Sequence, residues 1–531
     1  MKNIIIALLL LFVATSISFG NEPPKKKKKT NLVFIITDQQ QYKALGLAGN
    51  KVLKTPNLDR LGKDGAYFVN AYSACAVCGP ARSSILTGRT VENTGVNNND
   101  KTYYYTKEKV MQHPTFDELL KEEGYTCEYY GKWHAMANKA KVYSNPEKYA
   151  RNGKYAFDHG GQSFFYQDWL NESLKKRALE NGEHIDRFTK RPYTPDPIDT
   201  FFGQEYKDVK NIKKSQPNFH GRLNIPKEYT MTAFQAQQTI DAIERLKKKP
   251  FSITCSFHYP HAPMIVPEPF YSMYKPEDMT PPESINDEMK NSPYANANGR
   301  KKLKEYSDPE KIKYMISNYY GLITEVDYWI GQIIDKIDEL GLTENTLIVF
   351  TSDHGEMLGA HGLREKNVFY EESAHIPLLM KLPTQIKPNS TVDGYVSHID
   401  IFSTILDYMD VDAPSADGKS LRNMIEGKEE EYGDYVVTEW NYRGDVSPNY
   451  MIVKDGWKLM IPYSVESKVI NVLYNMNEDP HEMNNLLGKN PNQEQYTEKA
   501  EELRSALLEW LKKNNSKFYD GVKNRVLVKN I

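Results

Sequence analysis

Cysteine is scarce: four residues, at positions 75, 78, 127 and 255, in a chain of 531. That excludes a disulfide-stapled scaffold, which needs far denser cysteine in a much shorter chain. A surplus of positive charge is missing as well. Lys and Arg total 68 against 70 Asp and Glu, so there is no basic stripe for a phosphate backbone, and nucleic acid is not expected as a partner. Beyond the first 20 residues no run is apolar enough to cross a bilayer. Internal repeats are absent, and the one biased tract is a lysine run at 25–29. The remainder is an ordinary globular balance, 40% hydrophobic and 26% charged. Its length suits roughly two to four domains, or fewer in a large α/β enzyme. The 36 tyrosines offer faces for sugar stacking, although packing in the shell of a large domain is the plainer reading of any one of them.

The amino terminus carries an address. Lys2 precedes an apolar run over 4–13, and small and polar residues follow to Ser18-Phe19-Gly20. This pattern predicts a secretory signal peptide over 1–20. It implies a periplasmic or extracellular protein with no integral membrane segment after cleavage. No cysteine follows the apolar run, so a lipid anchor is not expected there. Residues 21–30 read as a lysine-rich linker, with a surface-binding basic arm as the alternative.

Residues 32–37 form a continuous apolar, β-branched run, as expected of a strand covered on both faces. The run ends in Asp38-Gln39-Gln40. A helix is predicted over 115–123, then an aromatic strand leading to Gly131-Lys132-Trp133-His134. Ala233, Ala236, Ile240, Ile243 and Leu246 fall at helical spacing before the alternating strand of Phe251, Ile253, Cys255 and Phe257, which runs into His258-Tyr259-Pro260-His261. The cycle recurs: a helical stripe from Ile323 to Leu340, Gly341, a short strand over 347–350, then Ser352-Asp353-His354-Gly355. Several strands thus deliver Asp, His or Lys just past their carboxyl ends, the edge where open α/β sheets bind ligands. Asp38, His261 and Asp353 are therefore expected to converge. Stretches 140–229 and 276–304 read as insertions over that edge. After about residue 428 short strands (435–438, 450–453, 457–461, 469–474) precede a helix over 494–512. The fold class expected is α/β: a large mixed sheet flanked by helices over 31–427, with a smaller antiparallel α+β domain over 428–531.

The segment Cys78-Gly79-Pro80-Ala81-Arg82-Ser83-Ser84-Ile85-Leu86-Thr87-Gly88-Arg89 bears the chemistry. Pro80 suits the first turn of a helix and Gly88 its end. Cys78 then lies at the helix amino terminus, where unpaired N–H groups favour anions and lower a thiol's pKa. Arg82, one turn on, can reach the same point. Cys75 and Cys78 also make a C-x-x-C, which leaves open a redox helix, half a zinc site, or a disulfide that takes Cys75 alone.

This segment resembles the signature of the type I sulfatases, C-x-P-x-R followed by L-T-G-R, which directs oxidation of the cysteine to formylglycine. Ala81 stands where serine is commoner. The resemblance extends through the strand ending at Asp38, Thr55-Pro-Asn-Leu-Asp59, Gly131-Lys132-Trp133-His134, Pro260-His261-Ala262-Pro263, Ser352-Asp353-His354-Gly355-Glu356, Lys366 and the turn from Leu473 to Leu486. It implies an alkaline-phosphatase-like core and hydrolysis of sulfate esters, with a sulfated oligo- or polysaccharide as substrate and a formylglycine-generating maturation enzyme as partner. It further implies that Asp38, Gln39, Asp353 and His354, with residue 78, hold one divalent cation. Ca²⁺ is expected, with Mn²⁺ or Mg²⁺ as alternatives, since an amide oxygen at Gln39 suits calcium and the imidazole of His354 suits a softer ion. Lys132, Lys366 and His261 are implied for substrate binding, and Arg82 for the charge at residue 78. His134 is implied as the base acting on the hydrated aldehyde, and His261 as the acid serving the leaving alcohol. Three other readings remain. They are a phosphonate or phosphate mono- or diester hydrolase on the same fold, a silent binder of sulfated glycans, and a thiol oxidoreductase using Cys75 and Cys78.

Overall fold

Strand β1 (Asn31–Asp38) is buried from end to end, as its unbroken apolar run requires. Its alternate residues feed two different cores. Leu32, Phe34 and Ile36 belong to one and Val33 and Ile35 to the other, so the sheet is covered on both faces. The computed structural model describes residues 28–99, 113–135, 142–144, 226–295, 304–414, 416–428, 433–440 and 447–528, with the short strand pieces Ala150–Arg151, Lys154–Tyr155, Thr200–Phe201, Gln204–Glu205 and His220–Leu223. The expected signal peptide at 1–20, most of the linker and most of the 140–229 insertion lie outside the described residues.

The other strands of the main sheet are β2 (Ala66–Tyr72), β3 (Thr126–Gly131), β4 (Phe251–Pro260), β5 (Thr346–Ser352), β6 (Leu378–Lys381) and β7 (Ser390–Ser397). Their order is β7-β2-β6-β5-β1-β4-β3. Only β6 runs against its neighbours; β1 pairs in parallel with β5 and β4, β3 with β4, and β7 with β2. The parallel set therefore presents its carboxyl ends on one edge. The sheet is mixed, as the sequence predicts.

One face is covered by α1 (Pro56–Lys63), α4 (Met231–Leu246) and α5 (Pro309–Glu339); the other by α2 (Cys78–Thr87), α3 (Phe116–Glu122) and α6 (His398–Tyr408). Local chemistry sets these boundaries. Thr115 and Glu118 form a capping box on α3, and the Thr230 hydroxyl caps α4. Asp308 accepts from two backbone N–H groups to open α5, and Gly341 follows its end at φ 63°. The smaller sheet comprises β8 (Tyr435–Glu439), β9 (Tyr450–Lys454), β10 (Trp457–Ile461) and β11 (Val472–Asn475), all antiparallel neighbours. Helix α7 (Thr497–Lys513) buries Leu503, Leu507 and Leu511 against it.

Contacts join the two sheets firmly. Lys458 of β10, fully buried, places its ammonium 2.6 Å from Glu371, 2.7 Å from Glu482 and 3.2 Å from the Phe369 carbonyl. On β8, Thr438 donates to the Ser73 carbonyl at 2.7 Å, and the Glu439 backbone N–H donates to Ala74 at 2.9 Å. Both acceptors belong to the segment leading from β2 to Cys78.

A buried acid on α5 makes stability depend on pH. Burial pushes Glu325 up to about 8 from its ordinary 4.5, and the Thr230 and Thr232 hydroxyls offset only part of this. Stability from such a raised acid is complete below its unfolded pKa and is lost as pH rises through the folded one, because the unfolded chain sheds the proton first. Glu325→Gln is expected to raise Tm relative to the parent by several degrees at about pH 8 and by little at about pH 4. A melting series in which the gap stays constant with pH would contradict this.

Candidate active site

Each strand end delivers one part of the site. Asp38 closes β1, Lys132 follows β3, His261 follows β4 and Asp353 follows β5; Cys78 opens α2 after the turn that leaves β2. The α2 helix begins at Cys78 with Pro80 in its first turn, and Gly88 closes it in the left-handed region at φ 63°, as the sequence predicts. Val77 stands at the N-cap and its side chain offers no capping hydrogen bond. The Gly79 N–H is taken by Asn99 Oδ1 at 2.8 Å.

Asp38, Cys78, Asp353 and His354 are all buried, and their ligand-capable atoms lie within 4.8 Å of one another. The Cys78 sulfur is 3.0 Å from His354 Nε2 and 3.9 Å from Asp38 Oδ1. His354 Nδ1–H donates to the Gly355 carbonyl at 2.9 Å, which turns Nε2 inward. Two carboxylate oxygens, a sulfur and an imidazole nitrogen around one point fit a divalent cation. Gln39 follows Asp38 with φ 76°. Its N–H donates to Asp353 Oδ1 at 3.1 Å, and its carbonyl accepts from Tyr319 at 2.7 Å. Those two contacts hold a conformation that a residue with a Cβ rarely adopts.

Positive groups ring this cluster. Lys132 contacts Asp38 directly, both buried. Arg82 donates from Nε to Asp353 Oδ2 at 2.8 Å, and from Nη1 to the Ser256 hydroxyl at 2.8 Å and the Lys132 carbonyl at 3.0 Å. Lys366 donates to Gln39 Oε1 at 2.6 Å and to His261 Nε2 at 3.0 Å. His261 Nδ1 lies 2.7 Å from the Ala262 carbonyl, so Nδ1 carries the proton and Nε2 faces the site. Every residue expected at the site on sequence grounds is therefore at one sheet edge, with His134 buried two residues beyond Lys132. His258 sits apart from this ring, with Nδ1 against the Gln235 amide.

The charges polarise one another. Burial alone would raise Asp38, but Lys132, His261, Arg82 and Lys366 outweigh it and hold the carboxylate well below its usual range. Burial would also raise Cys78, yet Lys132 and Lys366 bring it well below an ordinary thiol. His354 is pulled upward by Asp353 and Cys78 against the cost of burial. Burial, reinforced by Lys132 and Arg82, holds His134 well below its ordinary value, so its imidazole is neutral near pH 7. Cys75, by contrast, is buried and raised well above an ordinary thiol. All four cysteines are free, so Cys75 takes no disulfide.

Several contributors carried no signal in the sequence. Ser256, inside β4, and Tyr129, inside β3, each donate to the Lys132 carbonyl at 2.6 Å. Gly131 is required at φ 104°, because a Cβ there would lie 1.7 Å from the Ser256 carbonyl oxygen. Together these contacts fix the turn that aims Lys132.

A family profile described as "Sulfatase" matches residues 30–411, most of the chain. The chain belongs to the sulfatase family. A second profile, "N-sulphoglucosamine sulphohydrolase, C-terminal", matches residues 359–513 of this sulfatase. It is 30% identical to an ulvan-active sulfatase of Formosa agariphila over 86% of this chain and 77% of that protein. It is 26% identical to an N-acetylglucosamine-6-O-sulfatase of Bacteroides thetaiotaomicron over 96% and 91%. Its fold matches the crystal structure of a phosphonate monoester hydrolase of Agrobacterium radiobacter with a TM-score of 0.69 at 22% identity, over 92% and 96% of the two chains. Among the described residues no helix is long and apolar enough to cross a membrane.

Proposed function

We propose that this sulfatase hydrolyses sulfate esters of a carbohydrate outside the cytoplasm, using formylglycine derived from Cys78 beside one Ca²⁺. The observation that carries the reading is the buried cluster itself: Cys78 at a helix amino terminus, two carboxylates and an imidazole within 4.8 Å, and three cations around them. The Cys78 thiol occupies the place of the formylglycine side chain. The oxygen-rich donor set of Asp38, Gln39 and Asp353, with His354 and residue 78, would hold the cation, which would concentrate positive charge on the ester oxygens. As a hydrated aldehyde, residue 78 supplies one hydroxyl to attack sulfur and a second whose deprotonation expels sulfate and restores the aldehyde.

The chain's own groups do the rest. Lys132 and Lys366 would neutralise the sulfate oxygens, whose negative charge otherwise repels a nucleophile. Arg82 stabilises the charge that develops at residue 78 while it locks Asp353. Once Lys366 has turned from its Nε2 to the sulfate, His261 in its imidazolium form would give the departing alcohol the Nε2 proton as the S–O bond breaks, while Nδ1–H stays on the Ala262 carbonyl. Neutral His134 would take the proton from the second hydroxyl. The carbohydrate assignment is supported by the relatives active on ulvan and on N-acetylglucosamine-6-O-sulfate. Export rests on the segment at 1–20, and a division of the sequence at 427/428 on the change of pattern there.

One rival draws on a specific likeness, the shared fold with the phosphonate monoester hydrolase. Rates on an aryl sulfate and on an aryl phosphate diester separate the two. Faster sulfate release is expected; faster phosphodiester cleavage would transfer the enzyme to the rival class. A panel of sulfated oligosaccharides, scored for desulfation, then identifies the sugar.

A further inference from the structure

Glu356 lies three residues beyond Asp353, almost wholly buried. Its carboxylate gathers donors from three separate segments. One oxygen accepts the backbone N–H of Leu358 at 3.0 Å and that of Glu365 at 2.6 Å; the other accepts the side-chain amide nitrogen of Gln39. Glu365 and Asn367 both have positive φ, 58° and 75°, so Lys366 projects from a tight turn whose first N–H is pinned on Glu356. The side-chain oxygen of Gln39, in turn, meets the Lys366 ammonium at 2.6 Å.

An amide is nearly symmetric in shape, and only its neighbours decide which end is oxygen. Here they are of opposite sense. A carboxylate engaged by two backbone N–H groups accepts, and an ammonium can only donate. The nitrogen of Gln39 must therefore face Glu356, and its oxygen must face Lys366. When Lys366 turns to a sulfate oxygen, Glu356 is what keeps the amide from flipping.

We propose that Glu356 is the positioning residue of this site: it presents the amide oxygen of Gln39 to the cation and docks the Lys366 turn beside it. The inference rests on the reading that Gln39 is a cation ligand, and the test separates the two. Calorimetric titration of Ca²⁺ into metal-free protein gives the readout, independent of turnover. Glu356→Gln keeps the size of the side chain and can still accept the two backbone N–H groups, but it sets an amide nitrogen against that of Gln39. A loss of affinity of about 10- to 100-fold is expected, as it is for Gln39→Ala. Combining Gln39→Glu with Glu356→Gln reverses the hydrogen bond. That double variant is expected to bind Ca²⁺ at least about tenfold more tightly than the two single changes predict together, a coupling that a merely structural role would not produce.

Parent-like affinity in Glu356→Gln, with affinity lost in Gln39→Ala, would overturn the positioning role and leave the cation reading standing. Additive behaviour in the double variant would overturn it as well. Parent-like affinity in Gln39→Ala would instead remove Gln39 from the cation site, and the inference with it. Should Glu356→Gln fail to fold, a double variant that folds and binds Ca²⁺ supports the pairing, and one that folds without binding refutes it.

Discussion

Cys78→Ala is expected to abolish sulfate release, with turnover down on the order of 10⁴-fold or more, the scale on which removal of a nucleophile acts. The substitution deletes only a sulfur atom from a fully buried position, so the unfolding temperature should stay within a few degrees of the parent. The reason for so large a kinetic effect lies in the surroundings. On the formylglycine reading, Lys132, Lys366, Arg82 and the end of α2 would lower the energy of an anionic oxygen at residue 78. Without that oxygen they would still neutralise a sulfate, but nothing would attack it. Protein made with a maturation enzyme should show the aldehyde in the mass of the peptide spanning residue 78, and protein with an intact thiol should be inactive. Full turnover with the thiol unmodified would refute the formylglycine reading; an intact thiol and no turnover in the natural host would favour a glycan binder.

Asp353→Ala is expected to damage both the fold and the chemistry. Asp353 holds Arg82 at 2.8 Å with both side chains buried, and its other oxygen anchors the Gln39 backbone at 3.1 Å. Removing one partner of a buried ion pair costs about 3–5 kcal/mol, because the remaining charge is stranded. In a chain of 531 residues that corresponds to a fall in Tm of roughly 3–5 °C. Loss of a cation ligand should further remove the stabilisation that saturating Ca²⁺ confers on the parent. Melting curves with and without chelator check this. A variant that melts as the parent does, and still gains from Ca²⁺, would show that Asp353 is neither the partner nor the ligand described.

Asp38, Lys132, His261 and Asp353 were legible because each stands where a strand pattern stops, and parallel strands stop on one edge. The α2 start was legible from Pro80 and Gly88. The role of Glu356 was not, since it depends on a turn nine residues further on folding back to meet it. Nor were Ser256 and Tyr129, whose hydroxyls sit among strand residues and act through a backbone carbonyl. Sequence spacing reports faces and ends; it does not report which hydroxyl inside a strand meets which turn. The C-x-x-C illustrates the opposite hazard, a local pattern suggesting paired sulfurs where burial and neighbouring charge give two unlike thiols.

The bonds from Thr438 and Glu439 to Ser73 and Ala74 tie the small sheet to the backbone just ahead of Cys78. A slip of that edge by a single residue would swap the Thr438 hydroxyl for a side chain pointing the opposite way. The Ser73 carbonyl would then lose its donor, and the approach to the nucleophile its backing. Turnover should therefore respond to changes near residue 438 that touch neither cation nor sugar, because they disturb the backbone that leads to residue 78.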